Sequence, residues 1–456
     1  MKKTLSLALC ILLITGLLVA CASGATAPPS NQGETPARAP DAQTTAAVAD
    51  TATQATEAAA AGGAKPSGAI RVANWDTAMM TYMDPMLAAF AKECPDIKVE
   101  ILDTPSADYT QKLSVMLNGG SDVDAFWIKD GDTTKGLADK GQLADLSAYI
   151  ARDGVDLADY SGLAERFVMD GKIVAIPANT GYYVLFYNKD IFDAAGEPYP
   201  GNDMTWSDWE ALCGRLTSGS GPDKIYGGHL HTWNALVQNW GVQDGKHTIM
   251  DTDYSFFKPY YEMALRLQDA GCITDYGTLV TGGIHYSGAF MAGNVATMPM
   301  GTWFLTTIIQ RKNEGETDVN WGVATIPHPD GVPAGWTVGS VTPFAINNAS
   351  SNKDAAWEFA KFITSVEGAK IYSEGFSIPS RSSDETLRAL ANADGMPDGA
   401  LAALEVKNIS LDRPMEDKVA EVNQALNEQH GLILLKEVSV DEGLAEMARR
   451  SIEIQK

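Results

Sequence analysis

Positive charge is scarce in this sequence: 34 Lys and Arg stand against 58 Asp and Glu, a formal net charge of −24 over 456 residues. Such a surface repels nucleic acid and anionic lipid, and polyanionic ligands are disfavoured unless a local basic pocket holds one small anion. Cysteine is also rare, with five in the chain and no Cys-x-x-Cys spacing. A Cys213–Cys272 bridge and buried free thiols both stay open, because spacing alone does not fix disulfide geometry. No serine-hydrolase elbow, phosphate-binding loop or His-Glu-x-x-His motif occurs, and no enzymatic activity or cofactor is expected. Carboxylate pairs of the kind a glycosidase needs are available in any chain this acidic and decide nothing. The single hint of a metal site is His229-Leu-His231, which lacks a third ligand at recognisable spacing. Beyond one N-terminal run, no apolar stretch approaches membrane-spanning length.

That run, Leu5 to Val19, follows Lys2 and Lys3 and has the flanks of an export signal. It ends in Leu18-Val19-Ala20-Cys21, which resembles the bacterial lipobox. The resemblance implies cleavage after residue 20 and a Cys21 thiol carrying diacylglycerol, with acyl chains such as palmitate; two or more chains anchor stably where one does not. Residues 21–67 are rich in Ala, Thr, Pro and Gly with almost no large apolar side chain, so they read as a disordered tether. The expected location is the outer face of the cell membrane.

The rest of the chain is long enough for two globular units. Strands are predicted at Ala69–Trp75, Ile97–Asp103 and Val123–Ile128, with helices at Met79–Lys92 and Asp108–Leu117 between them. Alternating strands and helices imply an α/β fold with doubly wound, parallel sheets, in which ligands sit beyond the C-terminal strand ends. Trp75, Asp76 and Trp127 to Asp130 fall there.

Several segments then resemble, in order, the bacterial extracellular solute-binding family that includes maltose-binding protein: Asp124 to Asp130, Gly171 to Pro177 running to Tyr187-Asn-Lys-Asp190, Phe290 to Trp303, Trp321 to Pro327, Asp354 to Gly368 and Gly375 to Arg381. The resemblance implies a class II periplasmic-binding-protein fold: two lobes, 68–179 plus 334–378 and 180–333 plus 379–456, joined by a hinge crossed several times. It also implies a monomer that binds a carbohydrate between the lobes and hands it to the permease subunits of an ABC importer. A polyol phosphate, polyamine or peptide ligand, or a sensory role without a transporter, is the competing reading.

A pyranose needs flat aromatic platforms for its C–H faces and planar donors and acceptors for its hydroxyl rim. The candidate platforms are Trp75, Trp127, Trp233, Trp240, Trp303 and Trp336, with Trp303 matching the family's cleft tryptophan. Trp206 and Trp209 read instead as a helix start capped by Thr205 or Ser207, and Trp357 as core. Asp130 matches a sugar-binding aspartate of the family, with a turn role as its alternative. Asn179 and Thr180 flank the first hinge crossing. Asp76 either accepts a hydroxyl or caps the next helix, and Arg381 either enters the cleft or pairs with a surface carboxylate. Gly131 and Gly181 replace an arginine and a glutamate of the family pattern, which argues against maltose as the ligand.

Overall fold

A computed structural model describes residues 66–119, 123–129, 131, 133–160 and 162–456. The leader, Cys21, nearly all of the tether and Asp130 lie outside the described residues. Among those described, no helix is long and apolar enough to cross a membrane.

Strand β1 (Gly68–Trp75) runs parallel to β2 (Ile97–Thr104), from Gly68 opposite Ile97 to Trp75 opposite Thr104, and parallel to β3 (Ala125–Trp127) on its other side. Helices α1 (Met83–Glu93) and α2 (Tyr109–Asn118) make the crossovers that parallel pairing requires. The first helix starts later than its predicted Met79. Pro85 fits only within a first turn, and the preceding Thr77–Met79 forms a separate 3₁₀ turn after Asp76, whose φ is 43°. The family-like segment Asp354–Gly368 spans two helices, Lys353–Ile363 and the start of Val366–Glu374, because Ser365 accepts the Gly368 N–H and caps the second.

Beyond β3 the pairing is mostly antiparallel, with only Asn408–Leu411 parallel beside the start of Trp336–Ile346 among the described residues, so the sheet is mixed and the expectation of parallel strands holds for β1 to β3 alone. The strand Trp336–Ile346 returns antiparallel beside β3, and Ile176–Asn188 lies antiparallel beside that. The 13-residue strand Ile176–Asn188 is shared: its first half pairs with Trp336–Ile346 and Ile378–Pro379, its second with Thr297–Gly301 and Trp321–Thr325. These pairings are antiparallel because the chain re-enters the sheet from the far side rather than through a helical crossover.

Buried apolar residues form clusters of two origins. One set comes from 70–178 and 341–372, including Phe90, Trp127, Phe344 and Trp357. The other comes from 182–338 and 378–447, including Trp209, Trp240, Tyr261 and Phe304. The chain passes between the two sets on adjacent strands, where Thr180 lies opposite both Val341 and Ile378.

Trp206 and Trp209 open the helix Trp206–Leu216 under a Thr205–Asp208 capping box, and both are buried, as expected. Trp357 is core as well, and its indole N–H donates to Asp153. Cys213 and Cys272 are buried free thiols.

Asp153 also accepts from Arg152 and Lys361. The Arg152 hydrogen bond outweighs the opposing effect of burial and, with Trp357 and Lys361, holds this carboxyl well below the usual carboxylate range. A depressed pKa contributes stability above the unfolded-state value, about 3.9, and loses it as pH falls toward the folded-state value. Asp153→Asn is therefore expected to lower the melting temperature at pH 7, with the gap from wild type narrowing in melts taken at successively lower pH below 4.

Candidate functional site

The two sets of cores face each other across a cleft of about 1110 Å³. Trp75 and Asp76, at the C-terminal end of β1, line one wall with Trp127, at the end of β3. Asn179 and Thr180 form part of the floor, in the middle of the shared strand, and Trp233 and Trp303 stand on the opposite wall. Trp336 and Arg381 are not among the lining residues. Trp336 opens its strand away from the cleft, its carbonyl accepting from Gln243 Nε2 at 2.8 Å, and Arg381 pairs with Asp159. Trp240 is fully buried inside the helix Ala235–Val242, against Trp206 at 4.2 Å between ring centroids.

The far wall is aromatic for a local reason. Trp303 follows Gly301 by two residues, and its indole lies across the Cα positions of Gly301 and Gly181, where an added Cβ would come within 2.1 Å and 2.9 Å of ring carbons. The absent glutamate at 181 is thus matched by an indole that occupies its space. Tyr183 meets Trp303 edge-on at 5.4 Å, and Trp233, 38 % exposed, stands 6.4 Å from Trp303 and 5.5 Å from Tyr286. On the near wall Trp75 packs on Tyr109 at 5.0 Å. Trp127 is mostly core at 2 % exposure, its N–H donating to the Tyr372 hydroxyl.

Asp76 does not cap a helix. Its Oδ1 accepts the Ser106 N–H at 3.0 Å, since the helix it was expected to cap begins only at Met83. Asn179 donates to Ser377 at 3.3 Å. The basic groups of the cleft are already engaged: Lys129 donates to the Ser106 carbonyl at 2.8 Å, Arg311 bridges Glu314 and Glu316, and Arg413 spends its donors on amide and carbonyl oxygens. Among the described residues, no set of cations free of such partners converges as a phosphate group requires.

Behind Trp233 sit His229 and His231, buried in near-parallel rings 6.2 Å apart. Burial pushes them down to about 3 and about 4, so both are neutral at pH 7. Among the described residues no group of three side chains is arranged to hold a metal ion.

Sequence reasoning missed an amide face. Ala420, Asn423, Gln424 and Asn427 line the cleft from the helix Val419–Leu434, beside Asn234, Asp412 and Arg413. Their i, i+3, i+4, i+7 spacing, which puts Asn423, Gln424 and Asn427 on one helix face, is the signal that could have found them. Phe376, also in the lining, carries a φ of 62°, a strained value for a bulky residue, at the third passage between the cores. Taken together, the site offers aromatic faces on both walls and a rim of amides, hydroxyls and the Asp76 and Asp412 carboxylates.

Residues 73–370 match the family described as bacterial extracellular solute-binding protein. The galactooligosaccharide-binding protein of Bacillus subtilis is 22 % identical over 324 residues, covering 67 % of this chain and 70 % of the relative. A sugar transporter protein of Rhizobium etli, solved in an open conformation, is 39 % identical with a TM-score of 0.75, covering 85 % of this chain and 99 % of that one. The ABC substrate-binding protein of Listeria monocytogenes solved with cycloalternan reaches the same TM-score of 0.75 at 24 % identity, covering 85 % of this chain and 99 % of that one. With a family match over residues 73–370 and a solved relative 39 % identical over 85 % of its length, the chain belongs to the bacterial extracellular solute-binding protein family.

Proposed function

We propose that this protein captures a carbohydrate in the cleft and delivers it to an ABC importer. The observation that carries the reading is the pairing of aromatic platforms with an amide and carboxylate rim, at a site whose cations are already engaged. Stacking surfaces serve the C–H faces of a pyranose, and amides both donate to and accept from its hydroxyls. The sugars named for the relatives, among them galactooligosaccharides and cycloalternan, support the same class. Closure is part of the same reading: residues 68–179 with 334–378 and 180–333 with 379–456 act as lobes, a division that the two core groups and the strands running between them support. A sugar touching both walls gains contacts in the closed form that the open form lacks, and so favours closure. Cys21 carries the lipid, the tether spans to the membrane, and the monomer meets two permease subunits there.

The test is a melting-temperature and Trp-fluorescence titration with galactose, galactotriose, maltose, maltotriose, mannotriose, cycloalternan, spermidine and glycerol 3-phosphate. At least one sugar is expected to raise the melting temperature, since a ligand at about 100 times its Kd adds roughly 2.7 kcal/mol to the native state. Stabilisation by spermidine or the phosphate ester with every sugar silent would overturn the carbohydrate assignment. Mass spectrometry of the membrane-extracted protein should find an acylated Cys21 at the N-terminus; an unmodified N-terminus removes the anchor.

A further inference from the structure

We propose that Arg413 is a positioning residue that turns the Asn423 amide donor-outward, making Asn423 a ligand-binding residue that contributes only N–H groups to the cleft. The ligand's identity rests on the carbohydrate reading above; the orientation rests on hydrogen-bond geometry.

A guanidinium has five N–H donors and no acceptor, so whatever it touches must present oxygen. Arg413 Nε donates to Asn423 Oδ1 at 2.7 Å, and Nη2 donates to Asn234 Oδ1 at 3.1 Å. Nη1 donates to the Asp412 carbonyl at 2.6 Å and to Asn239 Oδ1 at 3.3 Å. With its oxygen turned to Arg413, Asn234 must send both N–H groups the other way, to Asn423 Oδ1 at 3.0 Å and to Gln238 Oε1 at 2.9 Å. Gln238 then donates to the Tyr261 hydroxyl at 2.8 Å, which lies 3.2 Å from His430 Nδ1. Every bond from Arg413 to the Tyr261 hydroxyl runs in one direction. Reversing any one amide would set N–H against N–H.

The consequence falls on Asn423. Its oxygen receives two donors, while its Nδ2 meets no acceptor among the described residues, and the residue lines the cleft on the amide face of its helix. An ordinary asparagine would rotate to suit a hydroxyl that donates or one that accepts. This one cannot rotate, so it selects a sugar oxygen that accepts at that point.

Three variants and one spectrum test this on the full-length protein, with galactotriose and maltotriose as probes. Asn423→Asp trades the two donors for acceptors that pair with Arg413. Its melting temperature should hold or rise while probe affinity falls at least about tenfold, the scale of one lost hydrogen bond to a half-buried group. Arg413→Met should lose a similar factor and Arg413→Lys recover part of it, since an ammonium can hold one of the two amide oxygens but not both. In the ligand-free protein labelled with ¹⁵N-asparagine, Arg413→Met should shift or broaden the Asn423 side-chain pair. Wild-type affinity in Asn423→Asp overturns the proposal, and so does an unchanged Asn423 signal in Arg413→Met. If neither probe binds the wild type at millimolar concentration, the carbohydrate reading loses its support, while the ligand-free spectra still decide the orientation.

Discussion

Replacing Gly301 by alanine is expected to weaken sugar binding by about 100-fold or more, a loss near 2.7 kcal/mol, although no polar contact to the ligand is removed. The added Cβ would come within 2.1 Å of two carbons of the Trp303 indole, and a rigid ring cannot give way by bending. The indole must leave its seat, and the platform opposite Trp75 goes with it. Overpacking of this kind costs the fold roughly 1–3 kcal/mol, so the protein should remain folded but melt lower. Trp303→Ala should show a comparable loss of affinity with no clash. The double variant should bind no worse than Trp303→Ala alone and recover part of the melting temperature, because the two changes act through one side chain. Calorimetric titration of the four proteins with a sugar that binds wild type settles it: if Gly301→Ala binds like wild type, Trp303 is not the platform. Gly181→Ala, where the approach is 2.9 Å, should give a milder version of the same effect.

The largest expected loss of stability is at Asp124. This carboxylate is 6 % exposed and accepts from the Arg71 N–H at 2.8 Å, the Ser350 hydroxyl at 2.5 Å and Asn352 Nδ2 at 3.1 Å. It ties β1 to the turn preceding the helix Lys353–Ile363, joining segments more than 220 positions apart. Hydrogen bonds to a charged group contribute roughly 1.5–3 kcal/mol each, and donors left buried without a partner cost more. Asp124→Ala should lower unfolding free energy by about 3 kcal/mol or more, read as a shifted denaturation midpoint. Asp124→Asn, which keeps shape and one acceptor, should lose less. A midpoint unchanged in Asp124→Ala would show that the turn is held by other contacts.

Much of the first core group was legible from local pattern. β1, β2 and α2 fall within a residue or two of their predicted limits, because period-2 and period-3.6 apolar spacing there is undisturbed by long-range pairing. The antiparallel return of Trp336–Ile346 beside β3 was not, since nothing in a strand's composition says which distant strand it joins. The site divided in the same manner. Trp303 and the Asn179–Thr180 crossing came from ordered family resemblance, and strand ends pointed to Trp75 and Trp127. Trp336 was a weaker candidate than Trp303, and Arg381 was open between the cleft and a surface carboxylate. Trp336 faces away, and Asp159, 222 positions upstream, takes up Arg381. The amide face of Val419–Leu434 was hidden for the opposite reason: a stripe of Asn and Gln on a helix looks like an ordinary solvated face until another wall stands across from it.

The central place of the strand Trp336–Ile346 also governs how the molecule comes into being. It lies between β3 and Ile176–Asn188, yet it is made after both, more than 140 residues beyond the nearer one. A nascent chain that has reached about residue 330 has two strand edges waiting for a partner that does not yet exist, and its Trp127 ring still lacks Phe344 and Phe359. The other core group waits longer, for Val419 to Met447. Neither half can be cut out as an independent folding unit, and any fragment ending short of the final helix, Val440–Ile454, leaves apolar surface uncovered. Such late closure favours slow folding and makes exposed strand edges an aggregation risk while synthesis is under way. The same strand that carries the second passage between the cores thus sets the order of assembly, holding the chain unfinished until nearly all of it is present.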